Sequence, residues 1–87
     1  MDSSTIEEVT EKVVIVVQRN LDHYGEVQTF PVEKDLADLG LDSIKAINLL
    51  LDLEQTFDII FSENLLTAET FRTVITLRDT VQSLIHD

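Results

Sequence analysis

Asp38-Leu39-Gly40-Leu41-Asp42-Ser43-Ile44-Lys45 marks the place where an irregular stretch of this 87-residue chain gives way to an apolar helical pattern. Asp42 is suited to cap the helix that follows, because its carboxylate accepts an orphan backbone N–H bond and complements the positive end of the helix dipole. Ser43 then stands at the helix start, beside backbone N–H groups that lack intrahelical partners. Such a position suits a covalently attached phosphate better than nucleophilic catalysis.

Downstream of this junction the spacing predicts helix II over residues 43–57. At roughly 100° per residue, Ala46, Leu49, Leu50, Leu53 and Phe57 share one face, the expected core side. Ile44, Ile47 and Leu51 form a second stripe, while Lys45, Asn48, Asp52 and Gln55 fill the polar remainder. The second stripe is more apolar than one packing face requires. It reads either as further core shared between neighbouring helices or as a surface for a partner.

Upstream, residues 23–42 carry Gly25, Pro31 and Gly40 and no sustained period, which predicts a long loop with one short turn near residues 32–39. A loop of that length inside a small domain points to a functional connection. Before it, Ser4 and Glu7 have the spacing of a capping box, and Ile6, Val9, Val13, Val16 and Leu21 recur at helical spacing, giving helix I over residues 5–22. The run Val13-Val14-Ile15-Val16-Val17 favours a strand by propensity, but its flanks are helix formers and the period outlasts the run.

After Asp58, Ile59-Ile60-Phe61 reads as a short extended connector, and Thr67 as the cap of a short helix III over residues 67–72. Thr76 with Asp79 resembles a further cap, opening helix IV over residues 77–86 with a stripe of Leu77, Val81, Leu84 and Ile85. The expected fold is therefore all-α, a single-domain, small four-helix bundle with a long loop between helices I and II and a short helix III.

Composition narrows the function classes. Six basic against 17 acidic residues leave a net charge of −11, which excludes neutralisation of a nucleic-acid backbone and favours basic protein surfaces as partners. A hydrophobic fraction of 44% is too high for the charge to mean disorder. With no cysteine and only His23 and His86 as histidines, neither a disulfide framework nor a zinc site is expected, so stability must come from packing. Asp35, Asp38 and Asp42 do not have the ligand alternation of a calcium loop, and Glu7, Glu8 and Glu11 read as a solvated helix face. The first residues lack a signal-peptide pattern and no apolar run is long enough to span a bilayer, so a soluble cytoplasmic protein without membrane association is expected. A catalytic triad would need a base and an orienting acid for Ser43, and no second motif supplies them.

An Asp-Ser pair at a helix start is by itself a capping feature. Here, however, Asp38 to Ile44 reads D-L-G-L-D-S-I, with Gly40, Leu41 and Asp42 in order before Ser43, and Asn48 to Ile59 reads N-L-L-L-D-L-E-Q-T-F-D-I. Together with the long loop and the acidic balance, these segments resemble the acyl and peptidyl carrier protein family over essentially the whole chain. The resemblance implies a non-catalytic phosphoprotein whose 4′-phosphopantetheine arm is attached to Ser43 and bears cargo as a thioester. It implies that Asp42 serves recognition by a phosphopantetheinyl transferase, which uses coenzyme A and magnesium. It also implies that Ile44, Ile47 and Leu51, with Lys45 beside them, contact partner enzymes. Lys45 and Asn48 depart from the fatty-acid type, in which acids often occupy this helix, leaving Asp42, Asp52 and Glu54 to carry the charge.

The segment S-E-N-L-L-T-A-E-T-F-R-T-V at residues 62–74 resembles free-standing carriers of polyketide and nonribosomal peptide (antibiotic) biosynthesis. On that resemblance the expected partners of this monomer are an adenylating ligase or acyltransferase that loads the cargo, and a ketosynthase, condensation or other downstream enzyme. An aminoacyl cargo is favoured over a short acyl or polyketide starter. The rival reading is an acidic helical adaptor that binds basic partner proteins through the Ile44–Leu51 stripe without a prosthetic group.

Overall fold

The computed structural model describes the backbone of residues 3–21 and 29–85, and side chains of residues 7–21 and 29–85. Three α-helices, α1 (Ser3–Asn20), α2 (Ser43–Phe57) and α3 (Val74–Ile85), are joined by connections that contain 3₁₀ turns at Leu36–Leu39 and Glu63–Leu65. Among the described residues the all-α expectation holds, with three α-helices in place of four. Asp22, His23 and His86 lie outside the described residues, as does the Ile6 side chain.

α1 packs against both α2 and α3. Val9, Val13, Val14, Val16, Val17 and Leu21 are all buried, whereas Ile15 is exposed. At about 100° per residue the buried positions span an arc of roughly 160°, and Ile15 falls outside it. This explains how a β-branched run forms a helix: burial on two sides outweighs a propensity penalty of a few tenths of a kcal/mol per residue. α1 opens at Ser3, so Ser4 lies in the first turn rather than at the cap the capping-box spacing predicts; its side chain is outside the described residues.

α2 places Leu49 and Leu53 fully inside the core, with Leu50 and Phe57 partly buried against it. The helix ends at Asp58, a left-handed residue at φ 55°, whose N–H bonds the Glu54 carbonyl. The loop before α2 contributes to the core through Phe30 and Leu36. It is tied to the start of α3 by Leu36 N–H to the Arg72 carbonyl at 2.7 Å and Ile75 N–H to the Val32 carbonyl at 3.3 Å. Gly40 closes the Leu36–Leu39 turn at φ 106°, in the left-handed region.

The expected helix III over residues 67–72 is a single turn. Phe71 N–H reaches the Thr67 carbonyl at 3.4 Å, and Thr67 does cap this turn by accepting Thr70 N–H at 3.2 Å. Propagation stops because threonine hydroxyls take the groups a helix would need. Thr76 Oγ1 donates to the Thr70 carbonyl at 3.0 Å, and Thr73 N–H is turned towards Thr76 Oγ1 at 3.0 Å. The same residues move the start of the last helix. Thr73, not Thr76, is the cap, because its Oγ1 accepts Thr76 N–H at 3.1 Å, and the two side chains bond each other's backbone as in a capping box. α3 therefore starts three residues before the expected helix IV. Its Val74, Leu77 and Val81 are buried, Leu84 is half-buried, and Ile85 is exposed.

Candidate functional site

The junction between the Leu36–Leu39 turn and α2 holds the predicted site. The turn ends in a crossed pair of bonds, with Gly40 N–H to the Ala37 carbonyl at 3.2 Å and Leu41 N–H to the Leu36 carbonyl at 3.0 Å. These reverse the chain so that Asp42 enters extended, at φ −115° and ψ −174°. Asp42 Oδ1 accepts Lys45 N–H at 2.9 Å and its carbonyl accepts Ala46 N–H at 2.8 Å. The amides of Ser43 and Ile44 precede the first intrahelical bond, so they point out of the helix end beside the exposed Ser43 hydroxyl. Ser43 is thus a surface hydroxyl held at the positive end of a well-capped helix.

Beside Ser43 lies an open cavity of about 470 Å³, lined by Asp35, Leu41, Asp42, Phe71 and Arg72 among others. A second, more apolar cavity of about 300 Å³ continues along α2 between Ile47, Leu50, Leu66 and Phe71. Ala46, Ala68 and Phe71 line both. The two form a groove from Ser43 along the flank of α2, walled by the one-turn segment that replaces helix III. Phe71 is braced there by Phe61, with ring centroids 6.2 Å apart.

The second apolar stripe of α2 is not core. Ile44, Ile47 and Leu51 are 71%, 57% and 50% exposed, and Lys45 is partly exposed beside them. The acids of α2 are arranged differently from the sequence expectation. Asp52 faces α1, where Arg19 reaches both of its oxygens and Asn20 Nδ2 donates to Oδ2 at 3.1 Å. The Arg19 hydrogen bond holds the Asp52 carboxyl below its ordinary range, against partial desolvation; reciprocally it raises the Arg19 guanidinium. Glu54 accepts Phe61 N–H at 2.9 Å and so fixes the exit of α2. Of the three acids expected to carry charge for partners, Asp52 and Glu54 are engaged within the fold, and Asp42 caps the helix.

Sequence reasoning missed the Arg19–Asp52 contact and the presence of Arg72 in the cavity that Ser43 lines. No local pattern marks the first, since 33 residues separate the pair. Arg72 lies within the stretch expected as helix III, where its side chain has no evident link to residue 43. Among the described residues, no group of three or more His, Asp or Glu could hold a metal ion, and no helix is long and apolar enough to cross a membrane.

Residues 4–81 match the family profile described as phosphopantetheine attachment site. An aminoacyl carrier protein of Agrobacterium fabrum is 37% identical over 59 residues, covering 68% of this chain and 71% of that protein. Among solved structures, the chain is similar to one in the crystal structure of an engineered Bradyrhizobium japonicum glycine:[carrier protein] ligase complexed with a carrier protein from Agrobacterium tumefaciens and AMP. The TM-score is 0.74 at 30% identity, covering 84% of this chain and 97% of that one. The corresponding complex with ATP gives a TM-score of 0.69 at 29% identity, over 90% and 97%. Family match and fold agree, and the chain belongs to the acyl and peptidyl carrier proteins, non-catalytic proteins whose cofactor is a covalently attached 4′-phosphopantetheine.

Proposed function

We propose that Ser43 is the attachment residue and that the protein tethers an acyl or aminoacyl intermediate, passing it between biosynthetic enzymes of the polyketide or nonribosomal peptide kind. The observation that carries this reading is the exposed Ser43 hydroxyl at the Asp42-capped start of α2, with a groove leading away from it. The site fits the group chemically. The Ser43 and Ile44 amides and the helix dipole favour a phosphodiester, and the groove offers polar groups near Ser43 and apolar ones farther along α2.

In the transfer step, an O–P bond forms at Ser43 Oγ while the pyrophosphate bond of coenzyme A breaks. The serine proton is lost and the adenosine bisphosphate half of coenzyme A leaves. Asp42 is proposed to serve the transferase at this step, since its carboxylate adjoins Ser43. When bound, the arm supplies a terminal thiol that bears the cargo as a thioester. Reach and effective concentration then replace an active site.

For loading, the relatives favour an adenylating ligase that delivers an amino acid, because one is an aminoacyl carrier protein and the similar solved chains come from complexes with a glycine:[carrier protein] ligase. Ile44, Ile47 and Leu51, with Lys45, are proposed to form the docking surface beside Ser43, in the cytoplasm. With Asp52 and Glu54 engaged in the fold, docking on α2 relies on apolar contact more than on free acids.

The test is intact mass before and after incubation with coenzyme A, magnesium and a broad-specificity phosphopantetheinyl transferase, with Ser43→Ala alongside. A gain of one phosphopantetheinyl group, absent in the variant, is expected. No gain in a folded sample would overturn the reading in favour of an adaptor.

A further inference from the structure

The attachment proposed at Ser43 introduces a negative phosphodiester into surroundings that are already acidic. Asp42 precedes Ser43 in the chain, and Asp35 and Glu69 line the same cavity. The chain as a whole carries a net charge of −11. The two outward-pointing amides of α2 offset part of the new charge. Among the side chains lining this cavity, Arg72 is the one cation.

Arg72 combines a fixed backbone with a loosely held head group. Its carbonyl accepts Leu36 N–H at 2.7 Å and its own N–H donates to the Glu69 carbonyl at 3.3 Å, so its Cα is anchored to the loop that leads to Ser43. The side chain is 57% exposed. Its Nε lies 3.7 Å from Asp35 Oδ1, and Nη1 lies 3.3 Å and 3.4 Å from the two oxygens of Glu69. Exposed ion pairs of this length are weak, and neither is a two-nitrogen fork, since Asp35 meets Nε alone and Glu69 meets Nη1 alone; a phosphodiester offers two oxygens for such a bidentate contact. The other described arginines are engaged elsewhere, Arg19 with Asp52 at 2.6 Å and Arg78 with Asp79 at 2.9 Å. Lys45 does not line the cavity.

We infer that Arg72 is a positioning residue for the phosphodiester on Ser43: it leaves Asp35 and Glu69 for the phosphate oxygens and holds the root of the arm against the groove wall. This rests on Ser43 being the attachment residue. It makes the turn at residues 67–72 responsive to modification, because the phosphate and the Leu36–Arg72 hydrogen bond then meet at one residue.

The experiment compares apo and holo protein by arginine side-chain Nε–Hε spectra and by the ³¹P resonance of the holo form, with intact mass establishing modification at Ser43. On conversion to holo, the Arg72 Nε–Hε signal should move while those of Arg19 and Arg78 stay in place. In holo Arg72→Gln the ³¹P resonance should shift by more than a linewidth, Arg72→Lys should restore part of the shift, and Lys45→Gln should leave it unchanged. An Arg72 signal that stays in place in the unsubstituted protein, or a ³¹P resonance that responds to Lys45→Gln and not to Arg72→Gln, would overturn the inference. Mass gain at Ser43 with an unmoved ³¹P resonance removes this inference alone, whereas absence of mass gain removes the attachment reading with it. The spectra of the unsubstituted protein decide the matter even if a variant folds poorly.

Discussion

Arg19 and Asp52 join α1 to α2 through two contacts, Nη2 to Oδ1 at 2.6 Å and Nε to Oδ2 at 3.2 Å. The pair adjoins Asn20, which donates both to Asp52 and to the Val16 carbonyl, so a carboxylate on the helix of Ser43 is used to lock that helix against its neighbour. The Arg19 side chain is half-exposed, and solvent screening keeps the contribution small. Asp52→Asn should cost about 1 kcal/mol of stability near neutral pH, measured by urea unfolding.

The same contact sets a pH dependence of definite sign. The folded-state pKa of Asp52 is lowered, chiefly by the Arg19 hydrogen bond. Its contribution is therefore complete above the unfolded carboxyl value of about 3.9 and is lost as pH falls through the lower folded-state value. The stability difference between the natural protein and Asp52→Asn should persist down to about pH 4 and shrink below it. A difference unchanged down to the acid-unfolding limit would contradict this account.

Two left-handed residues should respond in opposite directions. At Gly40, φ is 106° and a Cβ would meet nothing within 4 Å, so the backbone angle rather than space demands glycine. Gly40→Ala should destabilise by about 1 kcal/mol. Asp58 adopts φ 55° with a side chain present, and Asp58→Gly should stabilise by up to about 1 kcal/mol. Thermal unfolding of the two variants against the parent checks both signs.

Thr76 holds the end of the groove wall and the start of α3 together. Its one hydroxyl proton is shared between the carbonyls of Thr70 and Thr73, 3.0 and 2.9 Å away, and its oxygen accepts Thr73 N–H. Thr76→Val keeps the shape and removes all three, at an expected cost of about 1–2 kcal/mol. Amide exchange should quicken most at Thr73 and the first turn of α3.

Ile47 separates docking from folding. It is 57% exposed, so Ile47→Ser should change stability by less than about 0.5 kcal/mol. If the stripe is the docking surface, the same change should raise the KM of a loading ligase for the carrier about tenfold, the equivalent of about 1.4 kcal/mol of lost apolar contact. Because the neighbouring acids of α2 are engaged in the fold, that KM should depend only weakly on salt. Unchanged loading kinetics would remove Ile47 from the surface.

Local chemistry was enough to determine α2 from Ser43 to Phe57, the Asp42 cap and the separation of a core face from a second apolar stripe. These depend on the helical period and on groups within four residues of one another, which a sequence displays directly. The order around Ser43 likewise pointed to the carrier family. Tertiary packing decided the rest. Burial on two sides kept the valine run of α1 helical, and the long loop folded inward because Phe30 and Leu36 had a core to enter. The two helix starts read at Thr67 and Thr76 were resolved into one turn and one capping box by the hydroxyls of Thr67, Thr73 and Thr76 competing for the same backbone groups. Asp52 met Arg19 across 33 residues, and Arg72 came to line the cavity of Ser43, because helix packing brings together side chains whose separation along the chain carries no trace of their distance in space.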